Sequence, residues 1–387
     1  MTLAPRKLIV ILLATLLPAI AQSCPDDWPQ WSAYSRYFIQ EDGRVIERSQ
    51  KARTTSEGQA YSLFHALVAN DRAAFERVLN WTVNNLARGD LRRYLPAWHW
   101  GRDDDGRWRI LDPNPASDAD MWLAYSLIEA GRLWGSEDYR QLGMAVLNNI
   151  EAREIRHLDG LGDIVVPGPE GFELPGKRWK LNPSYLPIQL LRRFAAVSPS
   201  RRWGRVLDAT TKLLLASSAS GIVPDWIIYA GKGKFELEPN NAIGSYDAIR
   251  VYLWLGMLND ADPLKSRLLG QLNFTSDSYG LPPERIDARS RVGSGRAPIG
   301  FKAALAPYFK AKNARRSLRR AIRMIDREWR QGLLADKPVY YDQNLALFAL
   351  AWLEKRFSFA ADGRLITQWK QPCTDAAGNS SSSSPAG

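Results

Sequence analysis

Between Glu57 and Arg356 the chain carries eleven stretches with apolar residues at helical spacing, and most of them come in pairs. Glu57–Asn70 precedes Arg72–Leu86, Asp118–Trp134 precedes Glu137–Glu151, and Pro183–Ala195 precedes Arg202–Ala216. Tyr246–Leu258 with Pro263–Leu272, then Pro298–Phe309 with Ala314–Arg330, continue the series, and Asp342–Arg356 closes it. In the first stretch Tyr61, Phe64, Leu67 and Val68 share one face; in the third, Trp122, Tyr125, Leu127 and Ile128 give a broader one. Residues 28–53 read as an irregular opening segment, and no strong run of alternating strand pattern appears. Serial helical hairpins joined by loops of unequal length predict an all-α fold, a double ring of helices or (α/α) barrel. A helical solenoid is the rival, but it needs a repeat at fixed period, and none is present.

Three connections are long and rich in Gly, Pro and Trp: Arg88–Ser117, Arg153–Asn182 and Ser217–Ser245. Long loops on a rigid scaffold are where sites are built. Three acidic positions lie where a long loop meets the start of a helix: Glu57, Asp118 with Asp120, and Asp247. One reading is structural, because Asp and Ser cap helices and Glu suits a first turn. The other is chemical. In alternating helix pairs the starts of the inner helices share one rim, so three carboxylates gather there. Glycoside hydrolysis needs two carboxyl groups flanking the scissile bond, one protonated and one ionised. Arg250 follows Asp247 by three residues and reaches the same side of a helix.

Aromatic residues supply the second half of a sugar site. The chain has 15 Trp and 14 Tyr, and many lie in the long loops or beside the acids. Flat ring faces match the apolar faces of pyranose rings, although most aromatic side chains in any protein belong to the core. Trp100, Trp179, Tyr185, Trp226, Tyr246 and Tyr340 are the candidates for substrate contact, with Asp120 and Arg250 as polar partners.

Other chemistries lack their residues. His65, His99 and His157 form no zinc motif, and the two cysteines are too far apart to complete one, so neither metal nor cofactor is expected. The stretch Gly171–Arg178 imitates a phosphate loop, but Arg178 stands where Ser or Thr is required. Asp103-Asp104-Asp105-Gly106, flanked by Trp100 and Trp108, reads as a hairpin turn rather than a calcium loop. The net charge is +11, and Asn313–Arg330 is the most basic stretch. A solvated helix face and a nucleic-acid surface are its two readings, and the first is preferred in a chain that carries an export signal.

That signal is the N-terminus. Arg6 and Lys7 precede an apolar run from Leu8 to Ile20, and Ala19-Ile20-Ala21 fits a small-x-small cleavage site. The run of 13 residues is short for a membrane span, which needs about 20. A lipoprotein anchor at Cys24 is a further alternative, though Ala21-Gln22-Ser23 lacks the usual preceding Leu. The expected organisation is a signal peptide at 1–21, one catalytic barrel domain at 22–373, and a disordered Ser-rich tail at 374–387. It implies a periplasmic or secreted protein with no stable membrane insertion. In an oxidising compartment Cys24 and Cys373 either pair, tying the termini together, or stay as two thiols at frayed ends.

The stretch ASDADMWLAYSLIEAGRLW, Ala116–Trp134, closely resembles the signature of glycoside hydrolase family 8. Leu123 is its one departure, standing where the pattern favours Ile or Met. TSEGQAY, LPAWHWG, WKLNPSYLP, PDWIIY and GSYDAIRVYLW also fit, and they resemble the members encoded beside bacterial cellulose synthases. The similarity runs from about Cys24 to Cys373. It implies an (α/α)6 barrel and inverting, endo-acting cleavage of the β-1,4-glucan chain of cellulose. By position Glu57 takes the place of the general acid, Asp247 that of the base that activates water, and Asp118 that of a residue holding the sugar next to the scissile bond. Tyr185 and Arg250 match residues that position substrate or water. A supporting role in cellulose synthesis and export is implied, with contact to the synthase and export complex, and no nucleic acid. Chitosan, xylan or mixed-linkage glucan as substrate, or a non-catalytic glucan-binding subunit, are the alternatives.

Overall fold

The computed structural model describes residues 28–239, 241–272 and 282–369. The expected signal peptide, Cys24, Cys373 and the 374–387 tail lie outside them.

Twelve α-helices form among the described residues: α1 Pro29–Phe38, α2 Ser56–Val68, α3 Arg72–Asn85, α4 Ser117–Leu133, α5 Glu137–Arg153, α6 Ile188–Val197, α7 Arg202–Ser217, α8 Ala248–Met257, α9 Pro263–Gln271, α10 Ile299–Ala311, α11 Arg315–Glu328 and α12 Tyr340–Leu353. They sort into two layers by burial. In α2, α4, α6, α8, α10 and α12 most residues are buried, whereas α3, α5 and α11 bury only a stripe. A helix that is apolar all round belongs inside, and one with a single apolar stripe belongs at the surface. Successive members of the inner layer touch in the order α2, α4, α6, α8, α10, α12, and α12 returns against α2. Phe64, Trp122, Trp254 and Phe348, from four of these helices, meet at the centre with ring centroids 4.9–5.2 Å apart. Burying each such side chain contributes about 1.5–3 kcal/mol.

Two expectations need correction. The opening segment contains α1: Pro29 suits the first helical position, and Trp31, Tyr34 and Phe38 bury one face. The stretch expected as a helix from Pro183 starts as a 3-10 turn over Pro183–Tyr185, and α6 begins only after Pro187. Among the described residues the connections also carry sixteen short strands, none longer than five residues, nine of them in the three long loops. Thr54–Thr55 pairs with His99–Arg102, which pairs with Trp108–Asp112. The turn of that hairpin is the acidic patch: Asp103 Oδ1 accepts from the Arg107 N–H at 2.8 Å, and Gly106 takes φ +80°. Glu173–Leu174, Arg178–Leu181, Ile227–Gly231 and Lys234–Leu237 form a four-stranded antiparallel sheet. Ile243–Gly244 pairs with Arg285–Asp287 just before α8. These sheets stiffen the loops that lead into the inner helices.

The basic stretch forms the outer helix α11. Only Ala321 and Ile325 of it are buried, and Arg315, Arg316, Arg319, Arg323 and Arg327 are exposed. No described helix is long and apolar enough to cross a membrane.

Candidate active site

Three carboxylates meet around one guanidinium. Arg250, on the first turn of α8, is buried. Its Nη1 donates to Glu57 Oε2 at 2.5 Å, and its Nη2 donates to Asp247 Oδ1 at 2.7 Å. Asp118 Oδ2 lies 3.5 Å from the same Nη2. Ser184 Oγ accepts a further bond from Nη2 at 3.1 Å. The 3-10 turn fixes Ser184: Asn182 Oδ1 accepts from its hydroxyl and its N–H, and Trp254 Nε1 donates to its carbonyl. The Arg250 guanidinium also sits 5.6 Å from the Tyr185 ring centroid.

Local structure explains why these acids are available. A carboxylate at a helix start ordinarily accepts from the first free N–H groups. At α2 that work falls to Thr55, whose hydroxyl accepts from Gly58 N at 3.2 Å, so Glu57 keeps its carboxyl for Arg250 and the cleft. At α4 the Asp118 carboxylate accepts from its neighbour Ala119 N at 2.8 Å. At α8 Asp247 occupies the N-cap position but makes no cap bond. Capping and chemistry, alternatives in the sequence, are divided here between different residues.

The environments of the acids differ. Burial pushes the Glu57 carboxyl from 4.5 up to about 8; Arg250 opposes the shift, and Asp118 and Asp247 add to it. Burial likewise raises Asp118, against Arg250 and the Ala119 N–H. A cavity of about 380 Å³ opens over the group, lined by Thr55, Glu57, Tyr246, Asp247, Arg250, Tyr340 and Tyr341 among others. A second, of about 480 Å³, shares Gln50 and Arg53 with it and runs along His99, Arg102 and Arg109. Two adjoining cavities suit an elongated ligand.

The remaining candidates divide. Tyr246 is half exposed at the rim, its hydroxyl donating to Glu284 Oε1 at 3.1 Å while Tyr341 donates to its carbonyl. Tyr340 is buried behind Gly58. Trp226 stands 6.0 Å from the Tyr185 ring, parallel to Phe172 at 5.8 Å, with Lys180 Nζ 5.0 Å from its face. Three candidates are not brought into this group. Asp120 is fully buried on the other side of α4, where burial and Glu154 raise its pKa. Trp100 shares a sheet face with Thr54, stacks on Trp108 at 5.1 Å and lies under Arg44, whereas the neighbouring Thr55 faces the cavity. Trp179 pairs with Tyr229 and packs against the core, on the opposite face from Lys180. Ser184, Tyr341, Asp225 and Glu284 take part although they lie outside the candidates for substrate contact. Ser184 and Asp225 stand inside the quoted family motifs, and Tyr341 sits beside Tyr340; Glu284 gives no sequence signal.

No group of three or more His, Cys, Asp or Glu among the described residues is arranged to hold a metal ion.

Known proteins resemble this chain over most of its length. A curated endoglucanase of Xanthomonas axonopodis pv. citri is 45% identical over 368 residues, covering 93% of this chain and 95% of that protein. An endoglucanase of Escherichia coli K12 is 39% identical, covering 96% and 98%. The crystal structure of an endo-1,4-D-glucanase from Vibrio fischeri ES114 superposes with a TM-score of 0.80 at 38% identity, covering 89% of this chain and 99% of that one. The model of the glycosyl hydrolases family 8 matches residues 4–355, and the chain belongs to that family of glycoside hydrolases.

Proposed function

We propose that this glycoside hydrolase is an endo-acting β-1,4-glucanase that cleaves cellulose with inversion of configuration. The observation that carries the reading is the Arg250 bridge between Glu57 and Asp247, with Glu57 held protonated near neutral pH. An inverting reaction needs an acid on one side of the glycosidic bond and a base with its water on the other, with carboxyl groups about 6.5–9.5 Å apart. Glu57 gives its proton to the leaving oxygen. Asp247 removes a proton from the water that attacks the anomeric carbon. Asp118, deeper in the cleft, holds the sugar ring next to the scissile bond. Arg250 keeps the two reacting carboxyls in register, Tyr185 positions substrate or water, and Trp226 offers a stacking face. The names of the relatives, endoglucanases throughout the curated matches quoted, support glucan as substrate.

The proposed architecture is a closed (α/α)6 double ring, with the inner helices α2, α4, α6, α8, α10 and α12 presenting their starts to the cleft. It constitutes one catalytic domain, 22–373, released into the periplasm or medium after cleavage of residues 1–21. There it trims β-1,4-glucan in support of cellulose synthesis and export, in contact with that machinery. Reducing-end release from carboxymethyl cellulose, beside chitosan, xylan and mixed-linkage glucan, tests the reading. Glu57→Gln should lower the rate by about 10²–10⁴-fold in a folded protein. Equal activity of the two proteins would remove Glu57 as the acid. Better cleavage of chitosan or xylan would replace the substrate.

A further inference from the structure

Asp247 stands at the N-cap of α8, where an aspartate ordinarily gives its carboxylate to the first N–H groups of the helix. Here the N–H groups of Ile249 and Arg250 go to the Ser245 and Asp247 carbonyls, and the first helical N–H, that of Ala248, goes to another aspartate. Asp225, in the loop between α7 and strand Ile227–Gly231, turns its Oδ1 onto the N–H groups of Ala248 and Ser245, both at 2.7 Å. Its own N–H donates to the Ile243 carbonyl at 2.7 Å. The segment 243–248, which carries Asp247, is therefore tied to one residue at both ends. Ser245 Oγ adds a bond to the Glu284 carbonyl at 2.7 Å, and Tyr341 binds the Tyr246 carbonyl. With Ala248 N satisfied, the Asp247 carboxylate is left to Arg250 Nη2 and the cavity.

We propose that Asp225 is a positioning residue for hydrolysis: it caps α8 in place of Asp247 and so leaves the Asp247 carboxylate aimed at the water it activates. The proposal rests on Asp247 acting as the base. An ionised carboxylate makes the stronger bond to N–H donors, and the positive end of the helix favours it there. Burial and the Asp247 carboxylate push Asp225 up to about 6, while the Ala248 and Ser245 N–H groups and Arg250 pull the other way. It is thus mainly charged at neutral pH. Without it the Ala248 N–H loses its acceptor, and an aspartate can bond the N–H of the residue that follows it, as Asp118 does with Ala119; a base that turns back in this way no longer faces substrate. The adjacent Trp226 belongs to the same loop, so the loop that sets the base also carries an aromatic face near Tyr185.

The test is steady-state hydrolysis of cellohexaose by wild type, Asp225→Ala, Asp225→Asn, Asp247→Asn and the double variant Asp225→Ala/Asp247→Asn. Asp225→Ala should lower kcat by about 10²-fold, the cost of a base displaced by about an ångström, with KM within about twofold. Asn keeps an acceptor oxygen at the same place and should restore kcat to within about threefold of wild type. In the Asp247→Asn background Asp225→Ala should cost nothing further, because it acts through Asp247. Wild-type kcat in Asp225→Ala, a rise in KM alone, or full additivity with Asp247→Asn would overturn the proposal. Should the Ala variant not fold, a folded Asn variant crippled by about 10²-fold would overturn it as well. Full activity in Asp247→Asn would instead remove the base assignment itself, and this proposal with it.

Discussion

Replacing Glu57 by Gln is expected to do two opposite things, slow hydrolysis by about 10²–10⁴-fold and stabilise the fold at alkaline pH. The folded-state pKa of Glu57 is about 8 against 4.5 for the free side chain. Between these values the native state holds a proton that the unfolded state has released, so stability falls as pH rises through the window. Moving that carboxyl from 4.5 to about 8, at about 1.36 kcal/mol for each tenfold change in proton affinity, sets a ceiling of about 5 kcal/mol. The side chain is 21% exposed, and Gln loses the charged partner of Arg250 at 2.5 Å, so about 2–3 kcal/mol is the working figure. Urea unfolding of both proteins at pH 4 and pH 9 measures it. The two should be nearly equal at pH 4, and the Gln variant should be the more stable at pH 9. The same titration should give wild-type kcat/KM an alkaline limb near pH 8, since the acid must be protonated in the free enzyme. A stability difference that does not change with pH, or a Gln variant less stable at pH 9, would refute the argument.

Other substitutions probe the scaffold and the cleft. Gly256→Ala places a methyl group 2.4 Å from Tyr308 N where α8 crosses α10; the contact is backbone, which cannot step aside, so a loss of about 1–3 kcal/mol or more is expected in denaturant titration. Glu129 is fully buried between Arg193 at 2.6 Å and Arg132 at 2.5 Å and also accepts from Leu365 N; Glu129→Ala should cost about 3–5 kcal/mol, read as a lowered unfolding midpoint. Trp226→Ala should raise KM for long gluco-oligosaccharides by about tenfold, or about 1.4 kcal/mol, with little change in melting temperature.

The helix pairs were legible because their apolar residues recur at i, i+3 and i+4, which only helical packing rewards. The α1 helix carried the same signal in Trp31, Tyr34 and Phe38, hidden by its position in an apparently irregular segment. Apart from the hairpin around Asp103–Gly106, signalled by its turn, the short strands were not legible, since two to five residues are too few to show alternation. Arg250 fell where its spacing from Asp247 put it. Asp118 and Asp120 are two apart on one helix, and residues so spaced point to different sides; the structure sends one towards Arg250 and the other towards Glu154. Trp100 and Trp179 turn away from the acids because strand pairing fixes which face each occupies, and those partners are distant in sequence. The division of capping from chemistry was also out of reach: at α2 the cap is local, but at α8 it comes from another loop.

The central claim is that Glu57 and Asp247 hydrolyse a β-1,4 bond by single displacement. Proton NMR of the first products formed from cellohexaose, recorded before mutarotation, tests it most directly. Single displacement predicts that the newly released reducing ends appear first as the α anomer. Initial appearance of the β anomer would contradict it and require a covalent intermediate that this account does not contain.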